Sequence, residues 1–217
     1  MDFGMLGTGT VGLTLAGKLA ALGHRVSLGT RDPSETGRRE PVQAFLAEVK
    51  GVPLVTFAEA ARAGFLVNAT SGQASLAALA SAGAERLDGK VLLDAANPLD
   101  FSHGFPPSLS VCNTDSLAEQ IQRQYPRARV VKALNIVTAG VMVNPNLVPG
   151  GQPTMMIAGN DAAAKTEVTD LLKAFGWEDV LDLGGIEAAR PLEMILPAWL
   201  SLMQRLGTPN FGFKVSR

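Results

Sequence analysis

Gly7, Gly9 and Gly12 stand at the spacing G-x-G-x-x-G, after the apolar run Phe3 to Leu6 and before a helical apolar stretch from Val11 through Leu15, Leu19 and Leu22. Three glycines in that order suit a chain that turns from strand into helix while its backbone touches an anion. The first makes the turn, the second leaves no Cβ in the anion's way, and the third lets helix and strand pack closely. The first backbone N–H groups of the helix and the positive end of its dipole then face the charge. In a chain with 23 glycines the pattern arises readily by chance, so its place between a strand and an amphipathic helix carries the weight. A dinucleotide pyrophosphate is the anion that fits.

A second set of residues follows the next strand. Arg25-Val-Ser-Leu-Gly29 reads as that strand, and Thr30-Arg31 stands at its end, about 20 residues past the glycines, where NAD enzymes carry a carboxylate for the ribose 2′-hydroxyl. A carboxylate would repel a 2′-phosphate. A hydroxyl and a planar guanidinium would bind one, so NADP(H) is the expected cofactor. Asp32-Pro33 is expected to open the following turn. Arg38 and Arg39 could add charge there, but are expected on a solvated loop.

These residues need strands that end together. Apolar strand candidates alternate with helical patterns, which argues an α/β fold with a mostly parallel sheet wrapped by helices. The candidates are Phe3 to Leu6, Val26 to Gly29, Pro53 to Thr56, Phe65 to Ala69, Val91 to Asp94, Val130 to Leu134, Met155 to Ala158 and Val180 to Leu183. A helix is predicted from Asp161 to Phe175, with Val168, Leu171, Leu172 and Phe175 on one face, Asn160 or Asp161 as cap and Gly176 as stop. Leu99 to Asn113 reads as a long loop, a candidate lid or substrate wall.

Ligands of open α/β sheets bind beyond the carboxyl ends of the strands. After the glycine turn, the residues at those ends are Thr30-Arg31, Thr70-Ser71-Gly72, Asn97-Pro98-Leu99 and Asn135-Ile-Val137-Thr-Ala139. None offers a nucleophile with a base, or paired carboxylates. His24 belongs to a turn at the other end of the sheet and reads as structural, and His103 falls in the long loop. Lys132 is a charge inside an apolar strand, costly unless paired or near the strand end. Such a site suits direct hydride transfer, in which the protein aligns two rings.

The whole-chain numbers agree. A length of 217 residues fits one enzyme-sized domain, and a net charge of −1 gives no attraction to nucleic acid or an anionic membrane. The single Cys112 excludes an intrachain disulfide and a Cys cluster for metal. Gly64 to Ala84 and Ala133 to Asn160 carry no charge over long stretches, but Gly, Pro, Asn, Ser and Thr disqualify them as spans. No metal, nucleic-acid partner or membrane association is expected. The chain enters its first strand at once, so no leader is expected, and the location read from this is cytoplasmic.

Thr8-Gly9-Thr10-Val11, Gly29-Thr30-Arg31-Asp32-Pro33, Gly89-Lys-Val-Leu-Leu-Asp-Ala-Ala-Asn97-Pro98, Val130-Val-Lys-Ala-Leu-Asn135 and Gly185-Ile-Glu-Ala-Ala-Arg-Pro-Leu-Glu193 together resemble the NADPH-dependent reductases of the deazaflavin coenzyme F420. The resemblance runs to the Phe211-Gly-Phe-Lys tail. It implies one Rossmann-like NADP-binding domain over 1–217, with a core over 1–160 and an additional helix, strand and C-terminal helix over 161–217. It also implies a phosphate cradle on Thr8 to Val11, a 2′-phosphate site on Thr30 and Arg31, and nicotinamide contacts on Gly72, Leu76, Leu99 and Ala139. The second substrate, F420 or FMN/FAD, would then lie near Asn135 and Val137. Deazaflavin-using relatives commonly carry an apolar-Pro-Trp sequence where this chain has Thr70-Ser71-Gly72, and some carry His at the position of Asn135. The same domain type serves as the cytosolic module of membrane metalloreductases. An NADP-linked dehydrogenase of a small carbonyl or imine, and a non-catalytic NADP sensor, are the alternatives.

From Leu192 to Leu206 a single helix is predicted. Leu192, Ile195, Leu196, Trp199, Leu202, Met203 and Leu206 recur at helical spacing, Ala198 and Leu200 widen the face, and Glu193, Ser201, Gln204 and Arg205 form the polar side. So broad an apolar face predicts a homodimer through this helix.

Overall fold

The computed structural model describes residues Met1–Arg217. The strands are β1 (Asp2–Leu6), β2 (Arg25–Thr30), β3 (Leu54–Thr56), β4 (Phe65–Asn68), β5 (Val91–Asp94), β6 (Leu99–Asp100), β7 (Ser108–Leu109), β8 (Arg129–Lys132), β9 (Met155–Gly159) and β10 (Val180–Asp182). The helices are α1 (Thr10–Ala21), α2 (Pro33–Thr36), α3 (Glu40–Glu48), α4 (Phe57–Ala60), α5 (Gly72–Ala82), α6 (Leu117–Gln124), α7 (Ala139–Val143), α8 (Ala162–Phe175), α9 (Ala189–Met194) and α10 (Leu196–Leu206). Eight strands form one sheet in the order β10-β9-β8-β5-β4-β1-β2-β3. All neighbours in it are parallel except β8 and β9, where Val131 pairs with Gly159 in antiparallel register.

Period-two patterning splits the interior between the two faces of the sheet. Phe3, Met5, Leu28, Val67 and Leu93 pack on one side with Leu15 and Leu19 of α1 and Val168 and Leu172 of α8. Leu6, Leu66, Leu92 and Val130 face the other side, with Leu79 of α5 and Leu117 and Ile121 of α6. Each of the eight predicted strands is present, with ends shifted by a residue or two. Val130 to Leu134 stops at Lys132 because Leu134 turns into positive φ, at 67°.

Two expectations change. The segment from Leu99 to Asn113 contains an antiparallel ladder in which Leu99 pairs with Leu109 and Asp100 with Ser108, so it is a short hairpin rather than an irregular loop. The predicted C-terminal helix is two helices, α9 and α10, which meet at Ile195. Pro197 in the first turn of α10 has no N–H to continue a helix arriving from α9, but is well placed to start a new one. The helix after Asn160 forms as expected: the Asp161 side chain caps it by accepting from the Ala164 N–H at 2.7 Å, and Gly176 ends it in the left-handed region at φ 106°.

Candidate functional site

The carboxyl ends of β1, β2, β4 and β5 open into two adjoining cavities that share Ala69, Thr70 and Ser71. The larger, about 410 Å³, is lined by Gly7, Thr8 and Gly9 of the first turn, by Thr30 and Arg31 at the end of β2, and by Thr36 and Arg39 beyond them. The smaller, about 260 Å³, is lined by Val11, Gly72, Gln73, Ala95, Ala96, Asn97, Leu99 and Phe101 besides the shared residues. A wider hollow of about 630 Å³ lies at the amino ends of the strands between Met1, Asp2, Gly23, Arg25, Gly64 and Phe65. Size does not decide between them: helix N-termini and the glycine turn converge at the carboxyl ends.

The three glycines differ in what a side chain would meet. At Gly7, with φ 119°, a Cβ would lie 2.5 Å from the Ala69 carbonyl oxygen, and at Gly12 it would lie 2.2 Å from the Gly7 carbonyl oxygen. Both distances are impossible, so these positions hold strand, turn and helix together. At Gly9 a Cβ would meet no protein atom within 4 Å, leaving open space over the turn. Helix α1 begins there with no side-chain cap and no acidic residue in its first turn, and its first internal hydrogen bond is Leu13 N–H to the Gly9 carbonyl. The N–H groups of Thr10, Val11 and Gly12 are therefore left for an anion. By contrast, α2, α4, α6 and α8 are closed by Asp32, Thr56, Ser116 and Asp161. A dinucleotide pyrophosphate fits this cradle.

At the far end of the larger cavity the Thr30 and Thr36 hydroxyls, both buried, are 2.8 Å apart. Their mutual bond uses one hydroxyl proton and leaves the other to donate. Arg31 and Arg39 add two guanidinium groups, and neither forms an ion pair. Asp32 lines the same cavity, yet its carboxylate accepts from the Ser34 and Glu35 N–H groups at 2.8 and 3.0 Å, as the cap of α2. Those bonds, that to Glu35 foremost, hold its pKa below the ordinary carboxylate value. Arg39, expected on a solvated loop, is thus a cavity residue. Sequence spacing missed it and Thr36 because both depend on the short α2 folding back over β2.

The smaller cavity carries no ionisable side chain. Gly72 is needed here, since a Cβ would lie 2.1 Å from the Asn97 carbonyl oxygen, pressing the start of α5 against the segment after β5. The Asn97 amide donates to the Asn135 carbonyl at 2.9 Å, and the Asn135 amide donates to Asn97 Oδ1 at 2.9 Å and to the Leu192 carbonyl at 2.8 Å. Asn135 is buried behind Asn97, and its Oδ1 has no partner. Pro98 is buried at the base of the hairpin, where its carbonyl accepts from the Ser110 N–H at 2.8 Å. Leu76 packs against the α5 side of the core, outside both cavities. Val137 is buried under the C-terminal tail, with a Cβ at Gly212 falling 3.4 Å from its Cγ1, and Ala139 is buried at the start of α7.

Beneath the smaller cavity lies a buried charge cluster. Lys132 Nζ contacts Asp94 at 2.9 Å and Glu193 at 2.8 Å, and it donates to the Ala96 carbonyl. Burial pushes the ammonium pKa down, and the two carboxylates outweigh it, leaving the value raised. Glu193 also accepts the Leu117 and Ala118 N–H groups at 2.8 and 3.1 Å. It was placed on the polar face of the C-terminal helix, but it is fully buried because α9 turns that face onto the N-terminus of α6. Asp94 continues the network by accepting from the Asn68 amide at 2.8 Å, and Asn68 Oδ1 accepts from the Thr70 hydroxyl at 2.7 Å. Lys132 faces Asp94 across the β5–β8 register. Two charged residues closing adjacent apolar strands were the signal that could have found the pair. His24 lies against Phe3 and the amino terminus, at the opposite end of the sheet.

A family profile described as NADP oxidoreductase, coenzyme F420-dependent, matches residues 2–98. The Metalloreductase STEAP3 of Rattus norvegicus is 30% identical over 204 residues, which is 90% of this chain but 37% of that protein. The F420-dependent NADP reductase of Methanothermobacter marburgensis is 29% identical over 218 residues, 97% of this chain and 95% of its own length. A crystal structure from Arthrobacter sp. FB24, described as a candidate F420-dependent NADP-reductase, superposes with TM-score 0.98 at 55% identity over 100% of both chains.

Proposed function

The chain belongs to the coenzyme F420-dependent NADP oxidoreductase family, and from that membership we propose that it is an NADPH-dependent oxidoreductase passing hydride between NADP(H) and F420. The observation that carries the reading is the pair of joined cavities: one ends in hydroxyls and unpaired guanidinium groups, the other has no acid or base. The N–H groups of Thr10, Val11 and Gly12 would hold the pyrophosphate, with Gly9 giving it room. Arg31 and Arg39, with the Thr30–Thr36 hydroxyl pair, would hold the 2′-phosphate. When bound, the reduced nicotinamide supplies the hydride. The protein's part in that step is to seat the ring against Val11, Ala69 and Ala95 and to keep the wall at Asn97 fixed through Asn135 and Leu192.

The interior packing that joins Phe3 of β1 to Leu196 of α10 supports reading residues 1–217 as one NADP-binding unit. Homodimerisation through α10 is part of the proposal, as is a cytoplasmic location; no helix is long and apolar enough to cross a membrane. FMN or FAD is the alternative acceptor. Incubating the protein with NADPH and F420, FMN or FAD in turn, while following absorbance, tests the reading. Oxidation of NADPH is expected with F420. Oxidation by a carbonyl or imine alone would point to a dehydrogenase, and binding without turnover to a sensor.

A further inference from the structure

The smaller cavity has walls of two kinds. Ala69, Gly72, Ala95 and Ala96 make one side from residues too small to grip a ring, while Phe101 is the one aromatic side chain lining the space and is 56% exposed. Its backbone is held. The β6–β7 ladder pairs Asp100, its chain neighbour, with Ser108, and Asp100 Oδ1 accepts from the Ser102 N–H at 2.9 Å. At the base of the hairpin, Asn97 and Pro98 abut Gly72 at the start of α5. The Phe101 backbone is therefore held in register with the dinucleotide cavity, while its phenyl buries little of itself against the protein.

We propose that Phe101 is the stacking platform for the conjugated ring of the second substrate, and that it favours a flat aromatic hydride acceptor over a small carbonyl or imine. The proposal rests on the reading of the chain as an NADPH-dependent reductase. Hydride transfer needs the reacting carbons about 3 to 3.5 Å apart, so the acceptor must stack on a nicotinamide seated against the small-residue wall. Its far face then turns toward the hairpin, where offset ring packing gives Phe101 a partner and removes its exposure to water. A small carbonyl has no π-face to use. It would also ask for an acid to protonate the product, and no ionisable side chain lines this cavity.

Phe101→Ala and Phe101→Trp test this in steady-state assays with NADPH and F420, alongside NADPH titration by fluorescence. Phe101→Ala should raise the KM for F420 roughly three- to ten-fold, the range expected for one lost aromatic pair, while the Kd for NADPH stays at the wild-type value. Phe101→Trp should restore the wild-type KM. An unchanged KM in Phe101→Ala overturns the proposal while leaving the functional reading intact, and so does an equal loss of NADPH affinity, which would make the hairpin part of the cofactor cradle. Wild-type protein that binds NADPH but reduces neither F420 nor a flavin overturns the functional reading, and the proposal with it.

Discussion

At Arg31 a guanidinium with no ion-pair partner stands beside two buried hydroxyls. If these groups hold a 2′-phosphate, Arg31→Ala should weaken NADPH binding by about 1.5 to 3 kcal/mol, the cost of one charge-assisted contact, and leave NADH nearly unaffected. Fluorescence titration of both nucleotides measures this; equal losses would mean that Arg31 supports the fold rather than reading the phosphate. Arg39→Ala should show the same selectivity. His24→Ala should turn over normally, because the ring packs on Phe3 at 5.1 Å at the far end of the sheet. Thr30 and Arg31 were legible in the sequence because a strand end fixes their place. Arg39 and Thr36 were not, because a four-residue helix, capped by Asp32 in the turn expected there, brings them to the groove.

Contacts between elements set the shape of the smaller cavity. The Lys132 ammonium joins β8 to Asp94 of β5 and Glu193 of α9, and the same group fixes the Ala96 carbonyl at the cavity wall. Lys132→Met would leave two carboxylates buried without their cation, so a loss of about 3 to 5 kcal/mol in denaturant unfolding is expected. A loss below about 1 kcal/mol would show that the carboxylates are satisfied without it, as at a surface pair. Gly72→Ala should cut turnover, because its Cβ cannot coexist with the Asn97 carbonyl unless α5 or the Asn97 segment moves. Near the start of α6, the Arg123 guanidinium lowers the Asp115 pKa from 3.8 to about 2. That folded value lies below the unfolded one, so the pair's stabilisation is present above pH 4 and is lost as pH falls toward 2. Asp115→Asn should therefore destabilise the protein at neutral pH and much less at pH 2, where Asp115 is about half protonated in the folded state. The eight strands of the main sheet were legible as short apolar runs alternating with helical patterns. The burial of Glu193 was not, because helical periodicity placed it on a polar face and does not show that α9 turns that face onto α6.

For the molecule as a whole, α10 divides the apolar face that the sequence displays. Trp199 and Leu200 are buried in their own chain, with Trp199 stacked on Phe211 at 5.0 Å, whereas Leu202 and Leu206 are 39% and 54% exposed. The surplus face is thus narrower than the sequence suggests, since the tail that covers Trp199 cannot be read from helical periodicity. Leu202→Glu with Leu206→Glu is therefore the apt disruption of a two-fold contact, and sedimentation should show a wild-type dimer and a folded monomeric variant. A wild-type monomer at high micromolar concentration would refute the dimer. The reading of the two cavities meets its most direct test in a single turnover with F420 and NADPH carrying deuterium at the transferable C4 position. Direct hydride transfer predicts reduced F420 with deuterium at its ring carbon C5, where a carbon-bound label does not exchange with water. Reduced F420 without the label, or no reduction at saturating NADPH, would contradict it.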